Sequence, residues 1–336
     1  MTSPVWHAEV LRRLLARRDR LPHALLVSGR PGIGKVDFAR ELARGLLCES
    51  PAEGLACGHC PSCHWFSQGN HPDFREILPE ASEEADEEGG EAEAGKEAGK
   101  RSLVIKIEQV RRIGEMVSLS THRAGFRVLV LHPAEALAPA AANALLKTLE
   151  EPPPSTLLLL VSDRPARLLP TIRSRCQAVA LATPGKTEAL AWLRMHGAQD
   201  PEAALALAGG APRLALLLAE PGEVLWRKKV VGELSRPEGA HALSFATGFD
   251  RALLDRTLMI LQTWVHDLVR AKNAVQPRHH LESAPALNAK ARRSRLEALL
   301  ALDRELVEAR RLVAHPLNAR LVAEHLLMAY NRATLG

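Results

Sequence analysis

Four cysteines in the first fifth of the chain are the residues best suited to metal chemistry. They are Cys48, Cys57, Cys60 and Cys63, with gaps of eight, two and two residues between them. In a chain with no sign of export, four thiols at this spacing predict a tetrahedral zinc ion rather than disulfides. Unrelated buried or free thiols are the alternative. Because four sulfurs close the site, the ion is expected to stabilise the fold, although short zinc loops also contact nucleic acids.

A glycine-rich loop, residues 29–36, could bind phosphate. It follows an apolar run and precedes a helical pattern, which is the setting that a phosphate-binding loop requires. Gly29, Gly32 and Gly34 let backbone amides approach phosphate oxygens, and Lys35 would reach the outer phosphates. Val36, however, stands where an active site needs a serine or threonine hydroxyl to hold magnesium. The loop therefore predicts the shape of a nucleotide site but does not predict nucleotide hydrolysis there.

A second departure follows the apolar run Arg127–Leu131. A strand at this place should deliver acidic residues that bind magnesium and polarise the attacking water. Here it is followed by His132 and Pro133, and Glu135 is displaced by two or three positions. The chain thus departs from an active nucleotide site at two independent places, Val36 and the residues after this strand. Together they indicate that the ability to hydrolyse ATP has been lost.

The elements that would position these residues alternate between strands and helices. Apolar runs predict buried strands at Ala24–Ser28, Arg127–Leu131 and Thr156–Val161. Helical spacing covers Asp37–Leu47, Ile107–Leu119 and Ala140–Glu151. The last helix should stop at Pro152, because proline lacks the amide hydrogen and clashes with the preceding turn. This order predicts a parallel sheet covered by helices, followed from about Thr183 by helices alone.

Composition and hydropathy narrow the class of protein. Hydrophobic residues make up 46% and charged residues 25%, as in a soluble globular protein, whereas 4% aromatic residues disfavour base stacking as a main activity. Met1–Leu15 lacks the uninterrupted hydrophobic centre of a signal peptide. The apolar run Leu157–Val161 is far shorter than the roughly 20 residues that cross a bilayer. A cytoplasmic protein without a membrane partner is expected.

Charge is unevenly distributed. The net charge is +5, but residues 80–100 hold nine acids and two lysines, so this stretch carries −7 and the rest +12. The stretch is Glu, Ala and Gly with almost nothing to bury, which predicts a disordered surface insertion; mimicry of a phosphate backbone is the alternative. The basic remainder could favour a polyanion or reflect scattered solvated arginines.

Five segments occur in a particular order along the chain: Leu21–Leu26, the glycine loop, the four cysteines, Asn143–Pro153 and Thr171–Cys176. Together they resemble the bacterial clamp-loader subunits of DNA polymerase III, an AAA-plus family. The resemblance is detailed over about the first half of the chain. The resemblance implies an AAA-plus α/β domain over 1–182, with a zinc-binding loop at about 48–63 and the acidic insertion at about 80–100. It further implies a small helical lid domain over 183–222 and an all-α collar domain over 223–336.

Two branches of the family carry these motifs. The gamma/tau motor subunits hydrolyse ATP, and the other branch does not. Val36, His132 and Pro133 assign this chain to the second branch, while Lys35 leaves weak ATP binding open. Arg213 fits the position of the second sensor arginine. The resemblance therefore implies a degenerate nucleotide site of Gly29, Gly32, Gly34, Lys35 and Arg213.

The resemblance also assigns a role to Arg175. The Ser174-Arg175-Cys176 motif would project its arginine across a subunit interface into the ATP site of a neighbouring gamma or tau subunit. A guanidinium there neutralises charge that develops on the transferred phosphoryl group. A surface arginine in a salt bridge is the alternative.

The implied function is a non-hydrolysing stator that helps load the sliding clamp on primed DNA. Its expected partners are the gamma/tau and delta subunits, with the clamp met indirectly and primed DNA met through the assembled complex. No catalysis is expected of the isolated chain, although the complex belongs to the DNA polymerase III holoenzyme, a nucleotidyltransferase. The alternatives are an active ATPase of the gamma/tau type and a zinc-dependent DNA-binding or repair protein with an inactive nucleotide fold.

Overall fold

The computed structural model describes residues 5–52, 54–80, 104–118, 125–313 and 318–335. The predicted acidic insertion lies outside these residues, apart from Glu80. The chain divides into two compact units, Met1–Pro184 and Gly185–Gly336.

The first unit is built on a five-stranded parallel sheet with the spatial order β2-β3-β4-β1-β5. The strands are β1 (Ala24–Ser28), β2 (Phe74–Ile77), β3 (Arg127–Leu131), β4 (Thr156–Ser162) and β5 (Gln177–Ala180). Every residue of β3 and β4 is buried. Strands covered on both faces read as continuous apolar runs, which is why these two could be predicted from the sequence. The predicted α/β class is confirmed.

Helices cover this sheet. Those that the structure describes in the first unit are α1 (Ala8–Leu15), α2 (Lys35–Leu47), α3 (Pro61–Ser67), α4 (Ile107–Ser118), α5 (Pro139–Glu150) and α6 (Pro170–Arg175). Helix α5 begins one residue earlier than predicted, because proline fits the first position of a helix. Its buried side includes Leu145 and Leu149, which pack in the core beneath the sheet.

The carboxyl ends of β1, β3 and β4 meet at one edge of the sheet. Leu26 of β1 pairs with Leu160 of β4, and Leu129 of β3 pairs with Leu158. Because the strands are parallel, the segments that follow them emerge side by side, and open α/β sheets bind ligands at this edge. The glycine loop, His132 and Asp163 are therefore brought into one region.

The second unit contains helices and its own core. The described helices are α7 (Lys186–Met195), α8 (Pro201–Leu207), α9 (Pro212–Leu218), α10 (Pro221–Ser235), α11 (Ala242–Phe245), α12 (Arg251–Lys272), α13 (Ala284–Arg293), α14 (Leu296–Leu312) and α15 (Ala319–Thr334). Trp264 and Tyr330 are fully buried, and the Trp264 indole N–H donates to the Tyr330 hydroxyl at 3.0 Å. Within the described ranges no single helix is long and apolar enough to cross a membrane, and only the pair α8 and α9, bent by 115°, passes such a test together.

Candidate functional site

The glycine loop connects β1 to α2 and needs its glycines for backbone reasons. Gly32 and Gly34 have φ angles of 74° and 89°, in the left-handed region that side chains other than glycine adopt at a cost. At Gly29 a Cβ would lie 2.7 Å from the Leu181 carbonyl oxygen. The three glycines thus allow the tight turn that leads from β1 into α2.

Lys35 is buried and engaged by partners from its own chain. Its side chain is 4% exposed, its Nζ donates to the Arg30 carbonyl at 2.6 Å, and it forms an ion pair with Asp163. Asp163 directly follows β4. An ammonium with an anionic partner and a carbonyl already in place has less to offer an incoming phosphate.

Glu135, the displaced acid after β3, supports this arrangement. Its Oε1 accepts hydrogen bonds from the backbone amides of Asp163 and Arg164, each at 3.1 Å. The carboxylate thus holds the segment after β4 in place. This contact gives Glu135 a structural role that its position in the sequence did not predict.

His132 occupies the place where a magnesium-binding acid was expected and pairs with an acid on another strand. Its Nε2 donates to Glu76 Oε1 at 2.6 Å, and Arg40 Nε lies 3.0 Å from both oxygens of the same carboxylate. Burial disfavours the charged form of Glu76, yet hydrogen bonds from His132 and Arg40 lower its pKa overall. Glu76 on β2 thus joins Arg40 on α2 to His132 at the end of β3.

The two remaining predicted site residues are Arg175 and Arg213. Arg175 ends α6, where its guanidinium donates to the Thr171 carbonyl at 3.0 Å and to Glu150 at 2.6 Å. Arg213 lies on α9 in the second unit, with its guanidinium 5.4 Å above the Trp192 ring.

The four cysteines converge. Their sulfur atoms all lie within 4.8 Å of one another, and the sulfurs of Cys48 and Cys60 are 3.9 Å apart. Cys48 follows α2, Cys57 lies in the loop, and Cys60 and Cys63 belong to the start of α3. A tetrahedral zinc ion with bonds of about 2.3 Å places its sulfurs about 3.8 Å apart, close to the observed separation.

Backbone amides of the cysteine loop donate hydrogen bonds to three of the four sulfurs. The amides of Cys57, Cys60 and Cys63 donate to the sulfurs of Cys48, Cys57 and Cys60, at 3.2, 3.4 and 3.4 Å. Although burial acts in the opposite direction, backbone N–H groups of Cys63 and Glu49 lower the pKa of Cys60 to about 6. Hydrogen bonds from backbone amides favour a thiolate at Cys60, and the four converging sulfurs can hold a metal ion.

Comparison with known proteins assigns the chain to a family. A family model described as DNA polymerase III, delta subunit, matches residues 7–185. The subunit delta' of DNA polymerase III from Pseudomonas aeruginosa is 39% identical over 221 residues, which are 65% of this chain and 62% of that protein. Its counterpart from Haemophilus influenzae is 38% identical over 209 residues, 61% of this chain and 58% of that protein.

This chain belongs to the delta-prime family of DNA polymerase III. The matches span about three fifths of the length of these relatives. Among solved structures, a gamma subunit-related protein from Thermotoga maritima aligns with a TM-score of 0.47 at 17% identity, over 97% of this chain and 99% of that one.

In this delta-prime family member, sequence reasoning found the glycine loop and the cysteines but missed Asp163, Glu76 and Arg40. Asp163 had a usable signal, since it directly follows a predicted buried strand at the sheet edge where ligands bind. Glu76 lies on a four-residue strand that was not predicted, so its proximity to His132 could not be foreseen.

Proposed function

We propose that this chain is a non-hydrolysing subunit of the DNA polymerase III clamp loader. In this role it would act as a stator beside the gamma/tau and delta subunits, helping to place the sliding clamp on primed DNA in the cytoplasm. Family membership supports the assembly. The observation that supports the loss of hydrolysis is that His132 stands in the place of a magnesium-binding acid and pairs with Glu76, whose carboxylate also binds Arg40.

The nucleotide site is proposed to be residual. Lys35 would have to leave Asp163 and the Arg30 carbonyl before it could bind a phosphate, and Val36 offers no hydroxyl to magnesium. Weak ATP binding through Gly29, Gly32, Gly34 and Lys35 is compatible with this geometry, whereas turnover is not. Arg213 is assigned a structural or residual role, supported by its contact with Trp192.

Arg175 is proposed to act in trans on a neighbouring ATP site. Its side chain is 35% exposed and ends a short helix, and its partner Glu150 is 51% exposed. An exposed ion pair contributes only about 0–1 kcal/mol, so a phosphoryl group of the neighbour could replace Glu150 at little cost. The planar guanidinium would then bind two phosphoryl oxygens.

The metal of the cysteine cluster is proposed to be zinc, held by Cys48, Cys57, Cys60 and Cys63. Zinc would cross-link the end of α2 to the start of α3, and four sulfur ligands leave it no catalytic position. The second unit is proposed to consist of the helical lid over 183–222 and the collar over 223–336, the latter serving oligomerisation.

Reconstitution tests this proposal. The purified chain is mixed with gamma/tau and delta subunits and separated by size, and its ATPase activity is measured alone. We expect it to co-elute with those subunits and to show no hydrolysis above background by itself. Failure to co-elute would contradict the assembly. ATP turnover by the isolated chain that disappears in Lys35→Ala would instead indicate an active motor.

A further inference from the structure

Helix α2 joins the glycine loop to the cysteine cluster. It begins at Lys35 and ends at Leu47, so Cys48 stands directly beyond its last turn. The carboxyl end of a helix carries partial negative charge on its free carbonyl groups. A zinc ion with four thiolates would add a net charge of about −2 at the same place. Because two negative groups would meet here, a cation between them would stabilise both.

Arg44 lies at this position, in the last turn of α2. Its Nη1 donates to Glu41 Oε1 at 3.2 Å. A Cβ added to Gly58 would lie 3.2 Å from Nη2, so this nitrogen packs under the cysteine loop. The side chain is 24% exposed, and its buried Nε has no hydrogen-bond partner among the described residues.

We propose that Arg44 is a positioning residue of the metal centre, whose guanidinium offsets the charge of the thiolates and holds the Gly58 turn against α2. This inference rests on the proposed zinc site. Arginine suits the place better than lysine because its planar fork can contact Glu41 and the Gly58 turn at once. Groups that surround metal ligands orient those ligands and tune their affinity for the ion.

Arg18 provides a matched control at the same helix end. Its Nη2 donates to the Leu46 carbonyl at 3.4 Å, and so it contacts the helix terminus instead of the Gly58 turn. Loss of Arg18 removes the same charge from the same region. A specific role for Arg44 therefore predicts different effects of the two substitutions on metal binding.

The experiment measures zinc affinity of the full chain. Metal-free wild type, Arg44→Gln, Arg44→Lys and Arg18→Gln are titrated with Zn²⁺ against a chromophoric chelator, and Co²⁺ spectra count the thiolate ligands. We expect Arg44→Gln to weaken zinc binding by about 10- to 100-fold, Arg44→Lys to lose less, and Arg18→Gln to remain near wild type. The gap between wild type and Arg44→Gln should narrow as salt rises, because salt screens charge interactions.

Several outcomes would overturn the proposal. Equal zinc affinity of Arg44→Gln and wild type would do so, and so would an equal loss in Arg18→Gln, which would reduce the effect to the charge of the helix end. If Arg44→Gln does not fold without metal, Arg44→Lys provides the test instead. A zinc affinity of Arg44→Lys equal to that of wild type would show that the guanidinium contacts do not contribute to metal binding. A wild-type chain that binds no zinc would remove the metal centre and the role of Arg44 together. None of these results depends on clamp-loader membership.

Discussion

Arg175 and Lys35 are two residues that were expected to bind phosphate and that have other partners in this structure. The glycine loop predicted that Lys35 binds phosphate, and the family resemblance implied the same of Arg175. Both are bound here by carboxylates of their own chain, Asp163 and Glu150. The two side chains differ in the fraction that is exposed to solvent. Lys35 is almost fully buried, whereas Arg175 keeps about a third of its side chain open and can exchange partners more readily.

Arg175→Ala should leave folding and ring assembly intact and lower the DNA- and clamp-stimulated ATPase activity of a reconstituted complex. Arginine fingers in other phosphoryl-transfer systems contribute about 10³ to 10⁵ in rate. The loss here should be smaller, because only one of several ATP sites in the ring would lack its arginine. Arg175→Lys should rescue poorly, since an ammonium keeps the charge but loses the planar fork.

The measurement is steady-state ATPase and clamp loading on primed DNA with complexes of verified stoichiometry. Arg173→Ala is the matched control, because Arg173 is exposed on the same short helix, two residues away. Wild-type rates from a fully assembled Arg175→Ala complex, or an equal loss in Arg173→Ala, would return Arg175 to the status of a surface arginine.

At this scale, residues close together in sequence could be predicted and distant pairs could not. The cysteines span sixteen positions, and the glycine loop is continuous. Lys35 and Asp163, and Glu76 and His132, are brought together only by the order of the strands. That order depends on packing of the whole sheet and is absent from any short pattern.

Among the elements, the central strands were predicted and the edge strands were not. The strands β2 and β5 lie at the two edges of the sheet and have four residues each. Only Val179 of β5 is buried, and only Ile77 of β2. A short strand that is covered on few positions shows neither a continuous apolar run nor a regular alternation, so hydrophobic pattern alone cannot detect it.

The contacts of Glu76 fasten the edge strand β2 to α2 and to the end of β3. The Glu76→Gln variant should lower the free energy of unfolding by about 1–3 kcal/mol at neutral pH, because Arg40 and His132 lose a charged partner in a buried setting. The pKa of Glu76 is lowered in the folded state. Its contribution is therefore present above the unfolded pKa and is lost as pH falls through the folded pKa.

Urea unfolding of wild type and Glu76→Gln at several pH values measures this contribution. The difference between them should be largest near neutral pH and should shrink as the pH falls below about 4. Glu80→Gln is the control, because Glu80 pairs with Lys106 on an exposed surface and should matter little. A difference that stays constant with pH would assign the effect to packing instead of charge.

The whole molecule consists of two units with separate cores. The first contains the glycine loop and the cysteines, and the second is centred on Trp264 and Tyr330, whose hydroxyl also donates to the Leu234 carbonyl at 2.6 Å. The sequence predicted the change from alternating strands and helices to helices alone, because that change alters hydrophobic periodicity over many residues. The division of the second unit at about residue 222 stays a prediction.

A metal centre confined to the first unit should affect that unit alone. We expect one zinc ion per chain by elemental analysis, and we expect a chelator to raise hydrogen exchange in α2 and α3 while α12 and α15 keep their protection. Tyr330→Phe should raise hydrogen exchange in α12 and α15 while α2 and α3 keep their protection. The substitution leaves the Leu234 carbonyl without its buried donor and so loosens the second core. A well-folded preparation without metal, unchanged by alanine at Cys48, Cys57, Cys60 and Cys63, would remove the zinc assignment. Loss of protection in α12 on chelation would instead mean that the metal stabilises the chain as one cooperative body.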